Sequence, residues 1–263
     1  MALIHCDFYS ETLGMSTSMC VILPENTERQ IGMQNKSFND KHPTLYLLHG
    51  MSDDHTIWLR RTSIERYVAT LGLAVVMPCV SRGFYTDMVN GYKYWTFISE
   101  ELPMVARSFF PLSEKREDNF AVGLSMGGYG AFKLALQCPD KFAAGASLSG
   151  CLDIVNVLES INQPEFFNQR EYNHIFGSSE KVKDTENDLF YLLKKFAGYD
   201  GYKPKLYQCC GTEDFLYKDN KKFLEFARKL LVDLTYEEEP GSHEWAYWDY
   251  KIQKVLQWLP IKR

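Results

Sequence analysis

The stretch that decides the fold is NFAVGLSMGGYGAF, residues 119–132. A short apolar run ends at Ser125, which stands between Gly123 and Gly127 in the pattern Gly-x-Ser-x-Gly, and a helical sequence follows at once. This order predicts a buried strand, a very tight turn that carries the serine, and a helix whose N-terminus points at the same place. Neighbouring elements crowd the positions two residues before and after such a serine, so only glycine fits there.

The rest of the chain repeats this alternation of strand and helix. Six apolar runs closed by a turn predict strands that end near Gly50, Pro78, Ser125, Gly150, Gly211 and Gly241. The helical patterns between and after them cover residues 57–71, 95–109, 127–137, 219–231 and 244–259. A polar stretch, residues 24–43, is predicted to connect two early strands. The pattern indicates an α/β fold with a mostly parallel central sheet and helices on both faces.

The length of the chain suits a single α/β domain over residues 1–263. One interval is too long for a simple crossover, because it separates the strand that ends at Gly150 from the strand that ends at Gly211. We therefore predict that residues 152–204 form a small cap inserted over the carboxyl edge of the sheet, where open α/β sheets bind ligands.

Composition and charge narrow the classes of function. The net charge is −5 and there is no basic block, so neither nucleic acid nor a membrane is expected as a partner. The N-terminus carries no recognisable signal peptide, and no apolar run is long enough to span a bilayer, which predicts a cytoplasmic protein. The seven cysteines lack paired spacing and are expected to be free thiols. No metal or cofactor motif is present, so neither is expected.

A nucleophilic serine needs a base, which in this type of fold comes after the serine and after an acid. Only two histidines follow Ser125 in the chain, His174 and His243. His174 lies inside the predicted cap. His243 lies just past the glycine that closes the last predicted strand, where a loop can lower an imidazole onto the serine. We predict His243 as the base.

The orienting acid is expected in the loop after the strand that ends at Gly211. Asp214, three residues further on, is the preferred candidate. Glu213 and Asp219 are the alternatives, although Asp219 is better placed to begin the next helix.

An oxyanion hole needs two backbone N–H donors. One is predicted at Met126, the residue after the nucleophile, and the other at Met51, in the loop after an earlier strand. Gly50 would allow close approach of the backbone to the substrate. His49 precedes the serine in the chain and is expected to pack beneath this loop rather than to take part in catalysis.

Several stretches together resemble the esterase D branch of the α/β-hydrolases, and the nearest likeness is to bacterial tributyrin esterases of the EstA type. The resemblance spans nearly the whole chain and rests on LYLLHGMSDDHTIW, VVMPCVSRGFYTD, GLSMGGYGAFKLAL, CGTEDFLY and GSHEWAYW. It implies a serine carboxylesterase that acts on short acyl chains and self-associates. It also implies Ser125, Asp214 and His243 as the triad, with Met51 and Met126 as the oxyanion donors.

Proteins that share this fold differ in substrate, so several alternatives stay open. A thioesterase of the S-formylglutathione hydrolase type is one, and an acyltransferase, in which an alcohol replaces water, is another. A catalytically silent binding module is a third.

The substrate pocket is expected to be walled by aromatic side chains. Bulky rings near the strand ends would shorten the acyl site and favour acetyl to butyryl esters, including acetylated sugars. The candidates are Trp58, Trp95 and Trp245, together with Gly50, and further Tyr85, Tyr94 and Trp248. Arg60, Arg61 and Arg82 could meet a charged leaving group, or could simply face solvent.

Overall fold

The computed structural model describes residues 1–37, 40–160 and 168–261. Its centre is an eight-stranded sheet in the order β1-β2-β4-β3-β5-β6-β7-β8. The strands are β1 Ala2–Ser10, β2 Met15–Leu23, β3 Thr44–Leu48, β4 Ala74–Pro78, β5 Asn119–Leu124, β6 Ala144–Leu148, β7 Lys205–Gly211 and β8 Leu234–Glu239.

The strands β3 to β8 run parallel, which confirms the predicted class of fold. The hairpin of β1 and β2 extends the sheet at one edge, where β2 pairs antiparallel with β4. Because parallel strands end at the same edge, the loops after β3, β5, β7 and β8 meet there. Each of the six predicted strands is present.

Helices cover both faces of the sheet. They are α1 Ile57–Arg61, α2 Ile64–Val68, α3 Tyr94–Thr96, α4 Leu102–Phe109, α5 Met126–Gln137, α6 Ile154–Glu159, α7 Gln169–Phe176, α8 Ser179–Val182, α9 Leu189–Ala197, α10 Tyr217–Lys229 and α11 Trp245–Trp258. Alternate side chains of a strand point to opposite faces. In β3, Leu45 and Leu47 pack with α1, α2 and α11, whereas Tyr46 and Leu48 pack with α4, α5 and α9. No helix in the three described ranges is long and apolar enough to cross a membrane.

The predicted helix over residues 57–71 is interrupted, which corrects that prediction. Thr62 has extended backbone angles, φ −136° and ψ 172°. Its hydroxyl donates to the Trp58 carbonyl at 2.6 Å and accepts from the Ile64 N–H at 3.2 Å. The side chain thus adds a hydrogen bond to the last turn of α1 and supplies an acceptor for the first turn of α2. The predicted helix over 95–109 is formed, but it contains a π-helical turn, Phe97–Glu101.

The segment predicted as a cap, residues 152–204, contains α6 to α9. Residues 161–167 of that prediction lie outside the described residues. The helix α9 packs against α5 on one face of the sheet. The helix α7 instead reaches the carboxyl edge, where the Tyr172 hydroxyl donates to the Met51 sulfur at 3.5 Å.

Lys133 connects this segment to the helix that follows the serine. Its side chain is fully buried, and its Nζ donates to Thr86 Oγ1 and to Asn187 Oδ1, each at 2.7 Å. The ring of Trp95 lies 4.7 Å from the same ammonium. Burial lowers the pKa of Lys133 to about 7. Keeping this ammonium charged therefore costs the folded state free energy.

Replacing Lys133 by methionine should change how stability depends on pH. The folded-state pKa of Lys133 lies below its ordinary value of 10.5, so between pH 7 and 10.5 the unfolded chain binds more protons than the folded protein. The free energy of unfolding of the wild type should therefore rise with pH, relative to Lys133→Met, by up to about 1 kcal/mol per pH unit in this window. Urea unfolding at several pH values measures the difference. Lys41→Met, at an exposed lysine, is the control, and a pH-independent difference for Lys133→Met would contradict the prediction.

The strand β8 lies at the edge of the sheet and has one neighbour, β7. The buried Lys251 of α11 joins it to the body of the protein, because its Nζ pairs with Glu237 at 2.9 Å and with Glu239. On the opposite face, Lys221 of α10 pairs with Glu238 at 3.0 Å. Because β8 has a hydrogen-bonded neighbour on one side only, these ion pairs add contacts that hold it against α10 and α11.

Candidate active site

The turn at Ser125 has the strained geometry that the motif predicts. Ser125 has φ 51° and ψ −117°, a backbone conformation that residues with a side chain rarely adopt. A Cβ at Gly123 would lie 2.3 Å from the Gly127 carbonyl oxygen, and a Cβ at Gly127 would lie 2.5 Å from that of Leu48. Only hydrogen fits at either position, so the two glycines are what allows the chain to turn this sharply.

Backbone hydrogen bonds fix this turn to the end of β6. The Ser125 N–H donates to the Leu148 carbonyl at 2.9 Å, and its carbonyl accepts from Cys151 at 3.1 Å and from Tyr129 at 3.2 Å. The hydroxyl is thereby held at the carboxyl edge of the sheet, in front of the N-terminus of α5.

The structure brings together the three residues predicted as a triad. His243 Nε2 lies 3.0 Å from Ser125 Oγ, and His243 Nδ1 lies 2.9 Å and 3.1 Å from the two carboxylate oxygens of Asp214. Ser125 follows β5, Asp214 follows β7 and His243 follows β8. The Asp214 side chain is completely buried. In this geometry the imidazole can take the serine proton, and the carboxylate can hold its tautomer and stabilise the charge that forms.

The alternative acids point elsewhere. Asp214 itself is oriented by the Leu216 N–H, which donates to its Oδ1 at 2.8 Å. Glu213 accepts from the Gly241 N–H and so ties down the loop that carries the histidine. Asp219 accepts from the Asn156 side chain at 3.0 Å.

Aromatic rings enclose the imidazole of His243. The ring centroid of Phe215 lies 4.5 Å away, and that of Trp248 lies 4.8 Å away, edge-on. The Trp248 indole N–H donates to Ser149 Oγ at 3.1 Å, which fixes the indole itself. His174, the other histidine after the serine, lies in α7 and lines a different cavity.

The two predicted oxyanion donors, Met126 and Met51, lie beside Ser125 in the chain and on the wall of the same cavity, respectively. Met126 is the first residue of α5, so its N–H belongs to the turn that has no acceptor within the helix. Met51 follows β3 and, with Gly50, borders the same cavity as Ser125. His49 packs beneath this loop, as predicted. Its Nδ1–H donates to the Gly50 carbonyl at 2.7 Å, its Nε2 accepts from Val80, and burial lowers its pKa to about 4.

Comparison with known proteins identifies the family. The family model described as "Putative esterase" matches residues 10–259. The chain belongs to this esterase family. An acetyl esterase of Caldicellulosiruptor saccharolyticus is 31% identical to it over 264 residues, 98% of each chain.

Solved structures agree with this assignment. The fluorophosphonate-binding serine hydrolase FphF of Staphylococcus aureus is 39% identical to the esterase, with a TM-score of 0.87 over 100% of this chain and 99% of that one. The S-formylglutathione hydrolase FrmB of Staphylococcus aureus is 40% identical, with a TM-score of 0.84 over 98% of each chain. The esterase therefore has the predicted α/β-hydrolase fold, and it is a carboxylic ester hydrolase.

The cavity in front of Ser125 has a volume of about 440 Å³. Apolar side chains dominate its walls, with few polar groups, as is usual for a small-molecule site. The lining residues are Gly50, Met51, Ser52, Asp53, Arg82, Phe84, Leu124, Ser125, Cys151, Phe215, His243, Trp245 and Trp248. Sequence reasoning missed Phe84 and Cys151, although Cys151 directly follows the glycine that closes β6.

The predicted aromatic wall is only partly assembled in the esterase. Gly50 and Trp245 line the cavity. Trp58 lies behind Trp245, with ring centroids 5.2 Å apart, and is buried while its indole N–H donates to the Leu48 carbonyl at 3.1 Å. Trp95 lies away from the cavity, beside Lys133, so we do not assign it to the substrate site. In the described parts of the chain, no three His, Cys, Asp or Glu side chains are grouped so as to hold a metal ion.

Proposed function

We propose that this esterase hydrolyses short-chain acyl esters, from acetyl to butyryl, through an acyl-enzyme on Ser125. One observation carries the proposal, the unbroken chain of hydrogen bonds from Ser125 through His243 to Asp214. At one end of this chain, Ser125 borders a cavity of about 440 Å³. At the other end, the Asp214 carboxylate is not accessible to solvent. Apart from the substrate and water, the proposed chemistry uses groups of this chain alone.

In the first half-reaction the ester carbonyl carbon lies against Ser125 Oγ. His243 Nε2 takes the hydroxyl proton as the oxygen attacks, and Asp214 stabilises the imidazolium that forms. The backbone N–H groups of Met51 and Met126 donate to the oxyanion. Each such donor contributes about 3 to 4 kcal/mol to transition-state stabilisation. The C–O bond of the ester then breaks, and the departing alcohol takes the proton from His243.

In the second half-reaction water attacks the acyl-enzyme. His243 accepts a proton from the water, and the new tetrahedral intermediate uses the same two N–H donors. Its collapse releases the carboxylic acid and returns the proton to Ser125 Oγ. Asp214 keeps its charge throughout, because it fixes the imidazole without becoming protonated.

The walls of the cavity support a preference for short acyl chains. The indoles of Trp245 and Trp248 are in edge-on contact, with centroids 5.3 Å apart, and both border the space in front of Ser125. Phe84, behind this space, is buried against Tyr172 and Phe176 and cannot easily move aside. The relative named an acetyl esterase is consistent with a small acyl group. A tributyrin-type preference would fall within the same range.

A comparison of acyl lengths tests this proposal. We expect acetyl and butyryl p-nitrophenyl esters to be hydrolysed with kcat/KM values about tenfold or more above that of the octanoyl ester, because a long chain does not fit the walled cavity. Steady-state rates on the purified protein measure the ratio. Equal rates across the series, or a preference for octanoate, would contradict the short-chain assignment.

A thioesterase of the S-formylglutathione hydrolase type is the second candidate. It is favoured by the similarity to FrmB, which covers 98% of each chain. Both candidates use the same acyl-enzyme, so S-formylglutathione belongs in the same assay. A higher kcat/KM on the thioester than on any acetyl ester would favour the second candidate. Added alcohols or sugars would reveal an acyltransferase through acylated product.

A further inference from the structure

A second cavity, also of about 440 Å³, adjoins the catalytic cavity. It lies between the loop after β4 and the helix α7. Its lining residues are Met15, Ser81, Arg82, Gly83, Met88, Tyr92, Tyr94, Asn168, Arg170, Glu171, His174 and Ile175. Within the described ranges, Arg82 is the only residue that borders both cavities. Its guanidinium therefore stands at the boundary between the nucleophile and this second space.

The backbone around Arg82 is held rigidly. Ser81, Phe84 and Tyr85 all have positive φ, at 48°, 50° and 50°, a strain that persists only where surrounding structure enforces it. Phe84 and Tyr85 are buried, and the Tyr85 hydroxyl donates to the His49 carbonyl at 2.9 Å. The loop thus presents the Arg82 side chain from a fixed base.

Arg82 is paired with Glu171, a carboxylate of α7. Its Nη2 donates to Glu171 Oε2 at 2.7 Å, and its Nε donates to Glu171 Oε1, which is the two-point geometry that a guanidinium offers to any carboxylate. The arginine side chain is 44% exposed and that of Glu171 is 26% exposed. Both side chains are therefore partly open to solvent, so a carboxylate from outside the chain can reach the guanidinium.

The charges of the second cavity favour an anion. Arg82 and Arg170 border it, and Glu171 is the one carboxylate among its described lining residues. The rings of Tyr92 and Tyr94, with centroids 5.9 Å apart, add an aromatic wall. In the catalytic cavity Asp53 is the one carboxylate among the described lining residues.

We propose that the second cavity receives the leaving group of the ester and that Arg82 binds a carboxylate on it by exchange with Glu171. The preferred substrates are then short acyl esters, or thioesters, whose alcohol or thiol carries a carboxylate. This inference rests on the proposed function, because it assigns the acyl group to the cavity at Ser125 and the departing group to the adjoining one.

The test compares two acetyl esters that differ in one group. 3-Acetoxybenzoate and 3-acetoxybenzamide have similar phenol leaving groups, but only the first carries a carboxylate. We expect the wild type to favour the benzoate by about tenfold in kcat/KM, as for one charge-assisted, two-point hydrogen bond. In Arg82→Gln the ratio should fall to about one, and Arg82→Lys should restore part of it. Glu171→Gln should raise the ratio, because it removes the competing carboxylate.

The control is Lys41→Gln, which removes one positive charge from a comparable exposed ion pair with Glu114. This variant should keep the wild-type ratio of kcat/KM values. If the ratio fell in Lys41→Gln as well, the preference for the benzoate would come from the net charge of the protein, and the proposal would be overturned. A wild-type ratio near one, or an unchanged ratio in Arg82→Gln, would also overturn it.

Binding of the products separates this inference from the proposed function. Calorimetry on the Ser125→Ala protein should give 3-hydroxybenzoate about tenfold tighter binding than 3-hydroxybenzamide, a difference that is lost in Ser125→Ala/Arg82→Gln. This readout needs no catalysis. Absence of hydrolysis together with selective binding would contradict the proposed function alone, whereas equal binding of the two products would overturn the role of Arg82.

Discussion

Ser125→Ala is expected to reduce kcat for p-nitrophenyl acetate by about a millionfold, the loss seen when the nucleophile of a hydrogen-bonded triad is removed. The alanine leaves His243 and Asp214 in place but removes the oxygen that forms the acyl-enzyme. The residual rate would then come from the oxyanion donors and substrate binding alone. Initial rates measure the loss, and the mass of the protein after treatment with a fluorophosphonate tests whether the adduct forms on Ser125.

Ser108→Ala is a matched control for this experiment. Ser108 lies on α4, and its hydroxyl donates to the Val105 carbonyl at 2.7 Å, away from the site. This variant should retain both hydrolysis and labelling. Substantial turnover by Ser125→Ala, or a fluorophosphonate adduct on another residue of that variant, would show that a different nucleophile carries the reaction.

Asp214→Asn should lower kcat by about ten-thousandfold while the fold is kept. The carboxylate accepts the proton on His243 Nδ1, which leaves Nε2 free to accept from Ser125. An amide NH₂ at the same place would donate to Nδ1 and favour the wrong tautomer, and it could not stabilise the imidazolium. Steady-state kinetics measure the loss, and circular dichroism with thermal unfolding checks that the variant is folded.

Asp219→Asn is the corresponding control, because it makes the same chemical change in the first turn of the next helix. Its carboxylate contacts Asn156 rather than the imidazole, so activity should stay within a few-fold of the wild type. If Asp219→Asn lost more activity than Asp214→Asn, the acid of the triad would have to be reassigned.

The meeting of Ser125, Asp214 and His243 at one edge of the sheet was predictable because turn residues mark the ends of the strands. Asp214 and His243 follow strands that are closed by glycine, Ser125 itself ends its apolar run, and parallel strands deliver such loops to one edge. Chain order then leaves His174 and His243, and the position of His174 inside the predicted cap separates the two. The same logic led to the prediction of Met51 and Met126 as oxyanion donors, since that proposed role depends on the backbone rather than on the side chain.

The substrate cavity was less predictable because aromatic residues carry no sign of which way they face. Trp245 and Trp95 look equivalent in the sequence, yet one borders the cavity and the other packs beside Lys133. Contacts with neighbouring helices and strands decide which way an aromatic side chain faces, and a local sequence pattern carries no information on those contacts. The break at Thr62 was missed for a related reason. The apolar residues of 57–71 recur with a helical period, and that pattern does not show that a single hydroxyl competes for backbone hydrogen bonds.

The second cavity could not be derived from the sequence at all. Arg82 was one of three candidate arginines for a charged leaving group, and nothing local separated it from Arg60 and Arg61. The pairing with Glu171, 89 positions later in the chain, exists only because α7 folds back over the loop after β4.

The position of β8 at the margin of the sheet makes the proposed general base, His243, the most vulnerable residue of the site. His243 is carried by the loop after this strand, whereas Ser125 follows β5, which has neighbours on both sides. Fraying of the marginal strand on mild warming would withdraw the imidazole while the interior of the molecule stayed intact. Heat inactivation would then be a local and reversible event, and the pairs that Lys251 and Lys221 make with the glutamates of that strand would set its onset.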